Sequence, residues 1–245
     1  MQIRDHAEAA PDRPAVVMYP SGTVVTFGEM EKRANQLAHL FRSRGLREGD
    51  AVAILMENNA HYHTVMWAAR RCGLYYVPIN THLTAAEAAY IIDNSSAKAI
   101  VASAAFGPVR DQICEDLPAG PPELRLLATD GAARDGWLPY PRCADDQPDT
   151  PIADEIEGDL LQYSSGTTGR PKGIKRPLPH LPPSQAPGLM TALVSAWANP
   201  DGVYLSPAPL YHTAPSVWSM AFQAAEYGLE QGLRDAAKVK EFWNN

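Results

Sequence analysis

Residues 162–173 read Gln-Tyr-Ser-Ser-Gly-Thr-Thr-Gly-Arg-Pro-Lys-Gly. Hydroxyls at Ser164, Ser165, Thr167 and Thr168 can donate to a phosphate, and a serine or threonine oxygen can also meet a magnesium ion. Gly166 and Gly169 carry no Cβ, so successive backbone N–H groups can converge on an anion. Lys172 brings a charge opposite to that of phosphate, and Pro171 stiffens the turn before it. The stretch reads either as a phosphate-holding loop or as a solvated Ser/Thr/Gly linker. The Walker A pattern G-x-x-x-x-G-K-[ST] does not fit, because Gly166 and Gly169 are three apart and Lys172 follows three later. That spacing disfavours an ordinary P-loop kinase or GTPase and leaves an unrelated phosphotransferase as a weaker reading.

A second candidate is His212 in "PAPLYHTAP", which on its own could be a functional imidazole or a loop histidine bonded to backbone. Tyr211 and Trp218 nearby could line a pocket or fill a core. Other chemistry-bearing residues point to nothing. His61 and His63 are two apart, so a helix turns them to different sides, which favours solvent exposure over metal binding. Asp145, Asp146 and Asp149 lack the alternating pattern of a calcium loop and read as solvated surface. Arg70-Arg71 and Lys175-Arg176 are too few for a nucleic-acid patch, although the second pair adds positive potential near a phosphate.

The chain of 245 residues suits one large domain or two modest ones, with 45% hydrophobic and 20% charged residues. A net charge of −7, from 21 basic and 28 acidic residues, argues against a nucleic-acid partner. The start, "MQIRDHAEAAPDRP", has no apolar leader core, and no run approaches the ~18 apolar residues of a membrane span. Cys72, Cys114 and Cys143 are odd in number and far apart, as thiols of a reducing compartment are. The expectation is a soluble cytoplasmic protein.

What positions the candidates is an alternation of short apolar runs with helical periods. "AVVMYPSGTVV" predicts a hairpin around Pro20–Gly22. Thr26/Glu29 and Thr84/Glu87 are capping boxes that open two helices, the second ending near Asp93, and a third spans 61–73. Gly45 and Gly73 close the first and third of these. Strands are predicted at 51–56, 74–79, 97–103 and 124–129, which makes βαβ units, a parallel sheet and an α/β fold with flanking helices. Residues 1–130 form this lobe, and 131–158, rich in Pro, Gly and Asp, an acidic connection. "DLLQYS" (159–164) predicts a strand running into the Gly/Ser/Thr loop. A helix over 188–198, a strand at 202–206 and a helix from about Ser216 complete the segment 159–225, and 226–245 predicts a polar helical tail.

The loop "YSSGTTGRPKGI" resembles the signature loop of the adenylate-forming (AMP-binding) superfamily, which includes acyl-CoA synthetases. "VTFGEMEKRANQLAHLFRSRGLREGDAVAILMENN", "GLYYVPINTHLTAAEAAYIIDNSSAKAIVAS" and "YLSPAPLYHTAP" resemble three further blocks of that family, in order, over about residues 10–225. The resemblance implies the incomplete N-terminal large domain of such an enzyme. It implies ATP, Mg2+, coenzyme A and a small carboxylic acid (fatty, aryl or steroid-like) as ligands, with an acyl-adenylate passed to a thiol. Ser164, Ser165, Gly166, Thr167, Thr168 and Gly169 would wrap the ATP phosphates, with Ser164 near magnesium. Lys172 would offset the charge of departing pyrophosphate, and His212 would orient the carboxylate or gate its entry. No later family block follows residue 225, which predicts weak or absent ligase activity in this chain and self-association through exposed apolar faces. The alternative is a non-catalytic nucleotide- or partner-binding remnant.

Overall fold

The computed structural model describes residues 2–129, 131, 136–164, 170–186, 188–197 and 203–225. Helix α1 (Ile3–Ala9) precedes an antiparallel hairpin, β1 (Pro14–Val17) and β2 (Val24–Thr26). Then come α2 (Phe27–Ser43), β3 (Ala51–Leu55), α3 (Tyr62–Arg71), β4 (Tyr75–Pro78), α4 (Ala85–Asn94) and β5 (Ala97–Ser103). The Thr84 box is complete, whereas Thr26 caps α2 through the single bond it accepts from the Glu29 amide at 3.2 Å. Gly73 ends α3 at φ +66°, and a Cβ there would meet Ile156 at 2.4 Å, so both its backbone and its neighbour call for glycine.

Beyond β5 lie α5 (Gly107–Asp116), β6 (Leu124–Ala128), β7 (Leu138–Tyr140), β8 (Asp159–Leu160), β9 (Gln162–Ser164), β10 (Lys172–Ile174), α6 (Leu189–Trp197) and α7 (Thr213–Ala224). Six strands make one parallel sheet in the order β7-β6-β5-β3-β4-β8. The two-residue period splits its side chains between two cores. Val52, Ile54, Tyr76 and Val101 face α2, α3 and α7, while Ala53, Leu55, Val77 and Ile100 face α4 and α5. From β3 the chain steps to β4, crosses back to β5 on the other side, and returns to β8. The carboxyl ends of β3 and β5 therefore flank the point where the strand order reverses, the crevice where open α/β sheets take ligands.

The expected α/β fold is observed, with corrections in detail. The stretch 131–158 is more than a connection: it supplies β7, whose Pro139 is tolerated because the strand lies at the sheet edge. "DLLQYS" divides at Leu161 into β8, in the sheet, and β9, outside it. Residues 203–206 form no strand. Helices α1 and α5 were not predicted, and α7 starts three residues earlier than expected. The predicted tail, 226–245, lies outside the described residues.

Candidate functional site

The site is built where the sheet's last strand runs out. Leu160 of β8 pairs with Tyr76, and the Leu161 amide donates to the Tyr76 carbonyl at 3.0 Å. The chain then leaves the carboxyl edge of the sheet and forms an antiparallel ribbon in which Ser164 stands opposite Lys172, Tyr163 opposite Gly173 and Gln162 opposite Ile174. Directly opposed Cα atoms in such a pair are about 4.5–5.5 Å apart, so the serine hydroxyl and the lysine stem start side by side. Ser165, Gly166, Thr167, Thr168 and Gly169 connect the two strands and lie outside the described residues.

Aromatic rings hold the ribbon against α4 and β4. The Tyr163 hydroxyl donates to Asn94 Oδ1 at 2.7 Å, and burial, with Tyr90 nearby, pushes its phenol up to about 12. A Cβ on Gly173 would stand 2.9 Å from the Tyr163 ring, so glycine makes room for that phenol. Arg170 stacks over Tyr90 at 5.3 Å and Lys175 over Tyr75 at 4.6 Å. Arg176 donates to Asp159 at 2.7 Å. Three of the four cations around the loop are thus engaged. Lys172, exposed, has no hydrogen-bond, ion-pair or ring partner among the described residues.

The second candidate stands on a Pro-bounded loop. Asn58, three residues past β3, donates from Nδ2 to the Ala208 carbonyl at 3.0 Å and accepts from the Leu210 amide at 2.8 Å. Gln162 at the base of the ribbon reaches the Tyr211 carbonyl at 3.5 Å, which links this loop to β9. Tyr211 is buried, its ring between His82 (6.4 Å) and His212 (4.7 Å). His212 is exposed and is the N-cap residue of α7, and its side chain makes no capping bond, which leaves the imidazole facing solvent. Trp218 packs on the α6–α7 side, with Phe222 at 6.3 Å.

The structure brings Ser164 and Lys172 together and sets His212 on a neighbouring loop. Sequence reasoning missed Asn58, His82 and Gln162. The only local sign of Asn58 is its place just past a buried strand at the carboxyl edge. His63 is a correction: it is buried, not exposed, because α3 is covered by both α2 and α7. His61 lies edge-on to Tyr140 at 5.6 Å. Asp145, Asp146 and Asp149 are exposed as expected, with Asp145 paired to Arg33. All three cysteines are free, and burial raises Cys72 to about 12 and Cys143 to about 11, which makes these thiols poor nucleophiles. Among the described residues no three His, Cys, Asp or Glu side chains are grouped to hold a metal, and no helix is long and apolar enough to cross a membrane.

Comparison with known proteins bears on the chain as a whole. The family model described as "AMP-binding enzyme" matches residues 3–243. The fatty acid–[acyl-carrier-protein] ligase ScoC of Streptomyces coeruleorubidus is 33% identical over 174 residues, 69% of this chain and 31% of that protein. The long-chain-fatty-acid–CoA ligase FadD13 of Mycobacterium tuberculosis is 32% identical over 221 residues, 86% of this chain and 40% of that protein. The chain thus spans less than half the length of these curated relatives. The crystal structure of ATP-bound MatB from Rhodopseudomonas palustris superposes with a TM-score of 0.67 at 26% identity, covering 93% of this chain and 44% of MatB.

Proposed function

Because the chain belongs to the AMP-binding enzyme family, we propose that its ribbon and histidine loop are the phosphate and carboxylate ends of a site for ATP-dependent activation of a carboxylic acid. The observation that carries this reading is the pairing of Ser164 with Lys172, which has no partner among the described residues while Arg170, Lys175 and Arg176 are occupied. ATP, when bound, supplies the α-phosphate to which the acid becomes joined and the pyrophosphate that leaves. The residues present fit its phosphates: exposed Ser164 and Lys172, the latter without a partner among the described residues, occupy paired positions on a ribbon fixed from behind. A magnesium ion carried by the phosphates would find an oxygen ligand in the Ser164 hydroxyl and would offset phosphate charge there.

An anionic carboxylate approaching an anionic phosphate is opposed by like charge, and this chain's residues relieve that in two places. Lys172 neutralises phosphate charge and stabilises the charge that builds on the leaving group. His212, exposed at the head of α7, receives and orients the carboxylate, so that proximity lowers the barrier. The acid is read as fatty or similarly apolar and the acceptor thiol as coenzyme A, by likeness to FadD13; ScoC's acyl carrier protein is the competing acceptor. The three separate thiols suit a reducing, cytoplasmic setting.

Titration of the full chain with magnesium-ATP tests the reading. Lys172→Ala is expected to weaken binding about tenfold, on the order of 1.4 kcal/mol, and Lys175→Ala much less, because Lys175 already lies over a ring. A Lys172→Ala variant that binds magnesium-ATP like the wild type overturns the assignment.

A further inference from the structure

We propose that Asn58 is the positioning residue for the acid-binding half of the site, acting through the loop that carries His212; this rests on the reading of His212 given above. Asn58 lies beside the point where the strand order reverses. Its neighbour Glu57 accepts a hydrogen bond from Ser103, the last residue of β5, so residues 57 and 58 span the crevice between the ends of β3 and β5.

The loop it holds has few handles. Pro207 and Pro209 have no N–H, so the backbone from 207 to 210 offers only the amides of Ala208 and Leu210. Asn58 takes one group of each kind, the Ala208 carbonyl at 3.0 Å and the Leu210 amide at 2.8 Å, across 150 and 152 residues of sequence. Among the described residues the loop's other bonds are local or long: the His212 amide to the Pro209 carbonyl at 3.1 Å, the Ser216 amide to the His212 carbonyl at 3.2 Å, and Gln162 to the Tyr211 carbonyl at 3.5 Å. Asn58 therefore sets where Leu210 and Tyr211 are buried, and so where His212 emerges. A primary amide is the side chain that meets both demands at this reach. Aspartate keeps the acceptor and loses the donor, while leucine of similar shape loses both.

The phosphate ribbon is anchored by different residues, Asn94 and Tyr90, and touches the histidine loop through the long Gln162–Tyr211 contact at 3.5 Å, so loss of Asn58 acts chiefly on one half of the ligand. The experiment uses the full chain with two probes, magnesium-ATP and dodecanoyl-sulfamoyl-adenosine, a non-hydrolysable mimic of an acyl-adenylate. Short-chain and aryl analogues of the second probe are included. Asn58→Leu is expected to leave magnesium-ATP affinity within twofold and to weaken the acyl probe at least tenfold. Asn58→Asp is expected to recover part of that loss. Hydrogen exchange supplies a readout independent of ligand: in Asn58→Leu the Leu210 amide exchanges at least tenfold faster, in Asn58→Asp, which keeps its acceptor, it lies nearer the wild type, and Leu161, bonded to Tyr76, is unchanged in both. If the wild type binds neither probe, the proposed function falls. If it binds magnesium-ATP but no acyl analogue, the role of His212 falls and Asn58's with it. Equal binding of both probes by wild type and both variants, or unchanged exchange at Leu210 in Asn58→Leu, overturns the Asn58 assignment alone.

Discussion

A Cβ on Gly158 would stand 2.2 Å from the carbonyl oxygen of Leu74 and 2.8 Å from its amide nitrogen. Both obstacles are backbone, which cannot swing aside as a side-chain tip can. The Gly158 amide also donates to the Arg70 carbonyl at 2.7 Å, so the chain is pressed against the α3–β4 turn just before β8 leads into the ribbon. Gly158→Ala is therefore expected to cost about 1–3 kcal/mol, as overpacking does. Gly45 is the control: its φ of +81° strains an alanine, but nothing lies within 4 Å of a Cβ there. Thermal unfolding should show Gly158→Ala lowering Tm more than Gly45→Ala. Equal falls would mean that the Leu74 contact is not limiting.

The seam between α3 and α7 joins the helix that carries His212 at its head to the sheet. Ser219 Oγ donates to the Ser216 carbonyl at 3.1 Å, so it must accept from His63 Nε2–H at 2.9 Å, which fixes the neutral tautomer. One turn on, Trp67 donates to Gln223 at 2.8 Å. Burial holds His63 down to about 4, against an ordinary value of 6.5. The unfolded chain binds the extra proton between those values, so this stability is present above pH 6.5 and is lost as pH falls toward 4. The loss is about 2 kcal/mol by pH 5. Urea unfolding of wild type and His63→Gln at pH 7 and pH 5 checks the sign: the variant should lose about 2 kcal/mol less across that interval. An equal loss in both would place the acid sensitivity elsewhere. The sequence could not reveal this seam, because reading His61 and His63 as solvent-facing assumes that a helix has a wet side. Helix α5 was hidden for the opposite reason, since "GPVRDQICED" shows no apolar stripe and buries few residues. The runs at β3, β4 and β5 were legible because buried parallel strands are apolar on both faces.

Across the whole molecule the two ends of the parallel sheet are built differently. The carboxyl end carries the ribbon and the histidine loop, and the strand that leads into Ser164 was legible because its apolar run is local. The amino end is held by a charge network that was not legible, since its partners come from α1, α2, α3 and the stretch before β8. Arg71 donates to both oxygens of Glu31, at 2.9 and 2.7 Å, and Asn35 joins them while also donating to the Asp149 carbonyl at 2.8 Å. Arg4 grips Glu155 at 2.6 and 2.7 Å. Burial alone would raise Glu31, but Arg71's hydrogen bonds and charge, aided by Arg4, hold it below the ordinary carboxylate value. With the Arg71 side chain only 7% exposed, removing Glu31 leaves a buried cation with Glu155, 4.0 Å away, as its remaining carboxylate among the described residues. Glu31→Leu is expected to cost about 3–5 kcal/mol, and adding Arg71→Met should restore much of that, because an apolar pair of similar volume replaces a desolvated ion pair. Magnesium-ATP affinity should stay within twofold in any variant that remains folded, since the network lies at the end of the sheet opposite Lys172. Urea unfolding and nucleotide titration on the same samples decide it. A double variant no more stable than Glu31→Leu would show that the charges are not what couples these elements, and a nucleotide affinity that fell with stability would show that the two ends are not independent.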